Sequence, residues 1–271
     1  MAVNWVNPTM AIAGFAVKNH KELGGIVTAV WNRLTKSLNE LAITGTEGVG
    51  KSVLLDNLTG KAFEQGYTKP LKSQKEEQGA IQSKQRIRAA VVPGQLASPR
   101  YESMDKLFAG KKQVDGVIHV VSAGLPLVRD DTRRQKLVDE HVTTIREYRS
   151  FHRGVELNDL KETCEAIRAA HRQYHSPKWL IVALDKIDLF HDKVLEEQRY
   201  YSPHHDSEFT RVLNDLLDNV GRDNFRWTAV PVCGWPEDFE WNGEVLPSHM
   251  TAEAKQAYLV QFLSELESFC Q

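Results

Sequence analysis

The sequence predicts an α/β fold of three layers, in which helices flank a mostly parallel sheet. Three observations support this prediction. Short apolar runs typical of buried strands alternate with longer stretches of helical periodicity along most of the chain. The first such run, residues 41–43, leads through a glycine-rich loop into a helical segment. Polar residues follow several later runs, as at the carboxyl ends of parallel strands.

The length and charge of the chain restrict its class. With 271 residues it suits one large domain, and its formal net charge of -2 gives no electrostatic reason to expect nucleic acid as a partner. The three cysteines, Cys164, Cys233 and Cys270, are widely spaced and odd in number. They suggest neither a disulfide framework nor a zinc site, so we expect a reducing, cytoplasmic location.

The N-terminal part, residues 1–38, is predicted to be a helical extension. Its apolar stretch at 11–17 is too short to span a membrane, and Ala2 and the position of Cys270 do not match lipidation motifs, so no membrane anchor is expected. Docking on the core of the domain is the favoured role of the helix, with a partner groove or a membrane surface as alternatives. Its apolar face comprises Leu23, Ile26, Val27, Val30, Trp31 and Leu34.

The segment 45–52 carries the most specific motif in the chain. It reads Gly-x-x-x-x-Gly-Lys-Ser, between the apolar run at 41–43 and a helical segment. This spacing lets glycines fold the backbone into a nest of N–H groups around phosphates, in front of a helix N-terminus. Lys51 would reach the β- and γ-phosphates, and Ser52 would bind Mg²⁺. The segment therefore predicts nucleotide binding and a P-loop NTPase fold.

The remaining elements are predicted from periodicity and from glycine and proline punctuation. His171 and His175 have a spacing compatible with metal, but an ordinary solvated helix end is favoured because no third ligand is evident. The chain order is a loop at 66–79, one or two strands at 80–92, a helix at 101–110, a strand at 116–122, two helices within 125–176 that are broken near Arg153 and Gly154, strands at 177–184 and 225–233, and a final helix from about Thr251.

Residues 185–188, Asp-Lys-Ile-Asp, follow one of these strands and resemble the guanine-reading Asn/Thr-Lys-x-Asp motif of the Ras-like P-loop GTPases. The resemblance to that family covers residues 39–271 in order. It implies that Asp188 accepts hydrogen bonds from guanine and that the stem of Lys186 covers the base. Asp185 stands where the family has Asn or Thr. A polar turn is the alternative interpretation of these residues.

Residues 91–95, Val-Val-Pro-Gly-Gln, resemble the γ-phosphate-sensing Asp-x-x-Gly-Gln motif. The resemblance implies that Gly94 presents its N–H to the γ-phosphate and that Gln95 orients the attacking water. Val91 replaces the aspartate that supports Mg²⁺ in the family, so we expect slow hydrolysis. A simple Pro-Gly turn is the alternative.

Four further positions follow from the same resemblance. Thr68 is at about the place of the switch threonine, Cys233 and Gly234 correspond to the base-contacting loop, and Glu47 would obstruct an arginine finger from a partner. The predicted catalytic residues are Gln95 and Lys51, and the predicted metal ligands are Ser52 and Thr68. The predicted nucleotide-binding residues are Gly45, Glu47, Gly48, Val49, Gly50, Lys51, Ser52, Val53, Gly94, Lys186, Asp188, Cys233 and Gly234.

The resemblance therefore implies a GTP-binding protein with slow, Mg²⁺-dependent GTP hydrolysis that acts as a molecular switch with GTP or GDP as its ligand. A protein effector or regulator is the expected partner. Residues 39–271 would form the GTPase-like domain, with a helical insertion at about 125–176 that serves as a docking surface or as scaffold. The alternatives are a nucleotide-bound scaffold without hydrolysis, and a P-loop ATPase or nucleotide-dependent transferase.

Overall fold

The chain folds around a six-stranded sheet. The computed structural model describes residues 20–35, 40–70, 77–79, 88–91, 104, 107–108 and 113–270. The strands run in the spatial order β2-β3-β1-β4-β5-β6, and β2 alone is antiparallel to its neighbour. The mostly parallel sheet predicted from the sequence is thus confirmed. The strands are β1 (Glu40–Thr44), β2 (Glu77–Gly79), β3 (Arg88–Val91), β4 (Gly116–Val121), β5 (Trp179–Leu184) and β6 (Arg226–Pro231).

The central strands end level with one another. Val121 pairs with Leu184, and Leu184 pairs with Pro231, so the loops after β4, β5 and β6 leave the sheet at the same edge. Strands β1, β4 and β5 are buried along their whole length, because helices cover both faces of the sheet. This is why they read as continuous apolar runs and why polar residues that follow them meet at one edge.

Two apolar clusters on opposite faces of the sheet make up the core. One cluster joins Leu41 and Ile181 to the N-terminal and C-terminal helices, and the other joins Ala42 and Leu180 to the long central helix. Alternate residues of each strand thus pack on opposite layers. The helices are α1 (His20–Thr35), α2 (Lys51–Leu58), α3 (Asp131–Asp139), α4 (Ile145–Tyr174), α5 (Val194–Tyr201), α6 (Glu208–Val220) and α7 (Ala252–Cys270).

Helix α1 packs on the domain itself. Leu23, Val27 and Trp31 are almost fully buried in the cluster that also contains Phe262 of α7. Gly24 allows close approach, because a Cβ there would overlap the Cβ of Phe63. This docking accounts for Leu23, Val27 and Trp31, whereas Ile26 of the predicted apolar face is exposed. Whether residues 1–38 form a separate unit stays a prediction.

The helical segment after β4 differs from the prediction. Instead of a break near Gly154, α4 runs unbroken through that residue, and the break between helices lies at residues 140–144. A capping box formed by Thr144 and Glu147 starts α4. Burial of residues such as Leu160 outweighs the cost of about 1 kcal/mol for a glycine in a helix interior.

Two short β-features were not predicted. Strand β2 lies inside the predicted loop at 66–79, and a hairpin of β7 (Phe239–Trp241) and β8 (Glu244–Leu246) follows β6. Strands of three residues are too short to show an alternating pattern. The hairpin is held by Trp241, which is buried and donates from its indole N–H to the Val142 carbonyl at 3.0 Å.

Candidate functional site

Three glycines shape the loop between β1 and α2. Gly45, Gly48 and Gly50 have φ values of +131°, +77° and +108°, a region that favours glycine. A Cβ at Gly48 would overlap the carbonyl oxygen of Leu127, and one at Gly50 would overlap the Asp185 carboxylate. The loop is therefore a tight backbone turn in which glycine is required both by conformation and by space.

Lys51 begins α2 and folds its side chain back over the loop. Its Nζ donates to the carbonyl oxygens of Gly45 at 2.8 Å and Thr46 at 2.7 Å, and the residue is only 6 % exposed. Ser52 and Val53 are partly buried beside it and line the same cleft, whereas the side chain of Val49 packs in the core. Two backbone carbonyls thus hold the Lys51 ammonium over the glycine-rich loop, where a cation is suited to phosphate binding.

A cleft opens in front of this loop at the carboxyl edge of the sheet. Segments from five parts of the chain converge on it, and the cations Lys51, Lys69, Arg129 and Lys186 all contribute to its walls. Three acidic residues, Glu47, Asp185 and Glu237, also line the cleft, so its lining carries a small net positive charge, which suits an anionic ligand. The lining residues are Glu47, Gly48, Gly50, Lys51, Ser52, Val53, Lys69, Pro70, Leu127, Arg129, Asp185, Lys186, Trp235 and Glu237.

Asp185 ties three loops together at the floor of the cleft. Its Oδ1 accepts hydrogen bonds from the backbone N–H groups of Lys186 and Gly234, each at 2.8 Å, and its other oxygen faces Gly50. Burial raises the pKa of this carboxyl to about 6, against the opposing effect of the two backbone donors. The sequence showed only that an aspartate replaces the usual residue, and the structure gives that aspartate a bridging role.

Asp188 lies beneath the cleft, and its carboxylate accepts hydrogen bonds from other residues of the chain. It is 1 % exposed, and its carboxylate accepts from the Cys233 thiol at 3.4 Å and from the Glu237 N–H at 3.1 Å. Burial and the Asp188 charge raise the pKa of the Cys233 thiol. The structure thus brings Asp188, Cys233 and Gly234 together, but Asp188 is not one of the residues that line the cleft in the described part of the chain.

Lys186 occupies the wall between these two aspartates. Its backbone is left-handed, with φ +59°, and its Nζ lies 5.8 Å from the ring centroid of Phe239 in the hairpin. Burial lowers the pKa of this lysine, partly offset by the charge of Asp185. The position of Lys186 on the cleft wall fits a contact with a ligand, which stays a prediction.

The segment before Pro70 crosses the mouth of the cleft. Tyr67 lies 6.1 Å from Trp235 between ring centroids, and Lys69 forms an ion pair with Glu237. Thr68 lies between them and is exposed, and it is not among the described residues that line the cleft. Its role as a metal ligand stays a prediction. Gly94 and Gln95, the predicted γ-phosphate and water-positioning residues, lie outside the residues that the structure describes.

Several residues at the cleft were missed by the sequence analysis. Arg133 of α3 donates from its Nη1 to Oε2 of Glu47 at 2.7 Å. Leu127 donates its backbone N–H to the Gly48 carbonyl at 3.0 Å. Arg129 and Trp235 line the cleft. Arginines near the start of a helix look the same in sequence as a solvated surface, so no pattern could have identified these contacts.

Two other expectations concern metal and membrane. His171 and His175 lie 5.9 Å apart between ring centroids, and no group of three His, Cys, Asp or Glu side chains suited to a metal occurs among the described residues. In the same part of the chain, no helix has the length and apolar character needed to cross a bilayer.

A family model described as "50S ribosome-binding GTPase" matches residues 40–158, somewhat under half of the chain. The match includes the glycine-rich loop, Lys51 and Arg129 of the loop after β4. It confirms the resemblance to P-loop GTPases that the motifs indicated. No curated protein sequence gives a significant match.

The chain is also similar to solved structures at low identity. One is an ADP-ribosylation factor-like GTP-binding protein, the small COPII coat GTPase SAR1 of Encephalitozoon cuniculi, in complex with GDP (13% identity, 96% of this chain and 95% of that one, TM-score 0.39). Another is the signal recognition particle receptor SRb-GDP of Chaetomium thermophilum (14%, 85% and 97%, TM-score 0.41). A third is Toc33 of Arabidopsis thaliana with GDP and Mg²⁺ (11%, 93% and 92%, TM-score 0.36).

Proposed function

The chain contains a P-loop GTPase region, and from that premise we propose that it binds GTP and GDP and hydrolyses GTP slowly as a molecular switch. The observation that carries the proposal is the glycine-rich loop with Lys51 folded over it, at the end of a cleft with four cations. Guanine nucleotide binding by the family supports the choice of ligand. A protein effector or regulator is the proposed partner.

The phosphates would bind in the loop at residues 45–52. The Nζ of Lys51 would leave the carbonyl oxygens of Gly45 and Thr46 and bind the β- and γ-phosphate oxygens, which are stronger acceptors. The backbone N–H groups at the start of α2 would face the same phosphates. Glu47 is compatible with this because its charge is balanced by Arg133.

The base would lie at the other end of the cleft. The stem of Lys186 and the indole of Trp235 form walls there, and Asp185 holds the loop of Gly234 in place. For Asp188 to read guanine, its carboxylate must exchange the Cys233 and Glu237 donors for those of the base, or share them. Selection of guanine by Asp188 therefore requires a change in the hydrogen bonds that this carboxylate now makes.

The residues present fit a magnesium ion next to the phosphates. Ser52 stands at the start of α2 on the cleft wall, and its hydroxyl is the type of ligand that Mg²⁺ prefers. Ser52 would hold the ion, with Thr68 as a second ligand. Bound Mg²⁺ supplies positive charge that neutralises the β- and γ-phosphates.

Hydrolysis would form a bond between a water oxygen and the γ-phosphorus and break the bond to the bridging oxygen, whose electron pair remains on GDP. Gln95 would orient the water and Gly94 would contact the γ-phosphate. Val91, at the end of β3, stands where the family has its aspartate, so the rate would be low. The same valine favours a second candidate, a nucleotide-bound scaffold without turnover.

The test starts with the purified full chain. We would denature it, identify any released nucleotide, and then measure binding and turnover of GTP and ATP with Mg²⁺ for the wild type, Lys51→Ala and Asp188→Asn. Guanine nucleotide, loss of binding in Lys51→Ala and loss of selectivity in Asp188→Asn would support the proposal. Binding without turnover would favour the scaffold. A preference for ATP would favour a P-loop ATPase and contradict the proposed role of Asp188.

A further inference from the structure

The loop after β4, residues 122–130, is anchored by a buried carboxylate. Glu156 of α4 is 2 % exposed and accepts hydrogen bonds from the backbone N–H of Ser122 at 2.7 Å and from that of Gly124 at 3.2 Å. The Ser122 hydroxyl and the Tyr201 hydroxyl, each at 3.0 Å, complete its coordination. A buried carboxylate with this many donors holds the start of the loop in one conformation.

Helix α4 also holds the middle of the same loop. The hydroxyl of Tyr148 donates to the carbonyl of Pro126 at 2.7 Å, and Nε of Arg149 donates to the carbonyl of Ala123 at 2.9 Å. Tyr148 is itself fully buried. The long central helix therefore fixes the position of this loop relative to the sheet.

The loop then docks against the glycine-rich loop. The backbone N–H of Leu127 donates to the Gly48 carbonyl at 3.0 Å, and the contact is so close that a Cβ at Gly48 would overlap Leu127. Two residues later, Arg129 lines the cleft together with Lys51. Its Nη1 reaches the Pro70 carbonyl at 3.4 Å, a long and weak hydrogen bond. Arg129 is thus exposed on the cleft wall, and among the described residues its guanidinium is held by that one long bond.

We propose that Arg129 contacts the terminal phosphate of a bound nucleoside triphosphate, as a cation supplied from within the same chain. The inference rests on the proposed function and goes beyond it by naming a further phosphate-contacting residue. A guanidinium offers paired N–H donors that match phosphate oxygens, and its charge offsets the negative charge that spreads over the γ-phosphate during transfer. A loop anchored at its start and middle, with an exposed arginine near its end on the cleft wall, suits this role.

The neighbouring arginine of this segment does not serve in the same way. Arg133 is bound to the Glu47 carboxylate at 2.7 Å. Its charge is therefore already balanced by a residue of the glycine-rich loop, the loop that would hold the phosphates. Arg129 also stands closer along the chain to Leu127, which makes the backbone contact with Gly48. The geometry therefore points to Arg129 as the residue that reaches the ligand.

The experiment compares Arg129→Ala and Arg129→Lys with Arg172→Ala, which removes an exposed arginine at the far end of α4. For each full-length variant we would measure the affinity for GDP, for GDP with aluminium fluoride and for a non-hydrolysable GTP analogue, followed by GTP turnover. Circular dichroism and thermal unfolding would check that each variant folds. The binding measurements decide the test even if turnover is slow.

Arg129→Ala is expected to bind the GTP analogue about tenfold more weakly, to lose the gain in affinity from aluminium fluoride, and to hydrolyse GTP on the order of a hundredfold more slowly. Its affinity for GDP should stay within about twofold of the wild type, since GDP lacks the terminal phosphate. Arg129→Lys should recover part of the loss because it restores the charge without the paired donors.

Two results would overturn the inference, and they are distinguishable. If Arg129→Ala binds all three ligands like Arg172→Ala while Lys51→Ala loses nucleotide binding, Arg129 does not contact the phosphate and the proposed function stands. If the wild-type chain binds neither GDP nor the GTP analogue, the proposed function fails and this inference fails with it.

Discussion

Arg133 donates to the Glu47 carboxylate at 2.7 Å and so joins α3 to the glycine-rich loop. Both side chains are partly exposed, at 49% and 28%, so the pair adds little to stability, about 0–1 kcal/mol. Its effect should be on binding instead, because without the arginine an unbalanced carboxylate would stand beside the phosphates. The two residues together explain how an acidic residue is tolerated within a phosphate loop.

We expect Arg133→Ala to weaken nucleotide binding by about two- to fivefold through this repulsion, with little change in thermal stability. The double variant Glu47→Ala/Arg133→Ala should bind close to the wild type, because neither charge remains. Titration with fluorescent GDP at low and high salt would measure both effects. Equal losses in the single and the double variant would show that Arg133 acts independently of Glu47.

The close contact of Gly48 with Leu127 gives a second prediction. Gly48→Ala would place a Cβ against the Leu127 carbonyl at a backbone φ of +77°, so the loop must shift. We expect a loss of roughly 1–3 kcal/mol in the free energy of unfolding and at least a tenfold loss in nucleotide affinity.

Gly154→Ala is the matched control for that variant. This glycine lies in the interior of α4, and a Cβ there would meet no atom within 4 Å. Alanine should therefore stabilise the protein by about 0.5–1 kcal/mol without affecting binding. Urea unfolding of both variants would check the pair of expectations. A stable, binding-competent Gly48→Ala would show that the loop tolerates the added Cβ.

The raised pKa of Asp185 predicts a dependence of stability on pH. Because its folded-state pKa is about 6, above the ordinary value of 3.8, the folded state favours the protonated form. The contribution of this group to stability is therefore fully present below about pH 4 and declines as the pH rises to about 6. Asp185→Asn keeps an acceptor for the N–H groups of Lys186 and Gly234 without the charge.

The wild type should lose stability between pH 4 and pH 6, whereas Asp185→Asn has no carboxyl to titrate at this position. We therefore expect the stability of Asp185→Asn relative to the wild type to increase between pH 4 and pH 6 and then to level off. Asp218→Asn, which changes an exposed aspartate paired with Arg222, is the matched control. Urea unfolding across that pH range would measure the difference. Parallel curves for Asp185→Asn and the wild type would contradict the raised pKa.

Much of the fold was predictable because its signals are local. The buried runs of β1, β4 and β5, and the spacing from Gly45 to Ser52, depend on neighbouring residues in sequence, and the structure places them as expected. The continuous α4 was not predictable from Gly154, because the packing that stabilises the helix there is supplied by distant parts of the chain.

In the candidate site, too, the features set by neighbouring residues were predictable and the long-range contacts were not. The glycine-rich loop and Lys51 follow from their spacing, whereas the contact of Arg133 with Glu47 joins residues 86 positions apart and depends on how α3 is placed. Asp185 could be recognised as a departure from a motif, but its bond to the Gly234 N–H depends on the register between β5 and β6. Long-range geometry of this kind leaves no periodic pattern in a sequence.

The contacts across the mouth of the cleft give the last prediction. Tyr67 packs against Trp235, and Lys69 pairs with Glu237, so the segment before Pro70 is joined to the loop after β6 over the binding site. A nucleotide bound in the cleft, as proposed, would have to pass these contacts to leave. They should therefore slow its dissociation more than they strengthen its binding at equilibrium.

We expect Trp235→Ala and Lys69→Ala each to raise the dissociation rate of fluorescent GDP by about three- to tenfold, with a smaller effect on the association rate. Leu195→Ala, at an exposed apolar residue of α5 that does not line the cleft, should leave both rates unchanged. Stopped-flow displacement of the fluorescent GDP with excess unlabelled GDP would give the rates. If the two variants release GDP at the wild-type rate, the contacts over the cleft do not limit exit of the ligand.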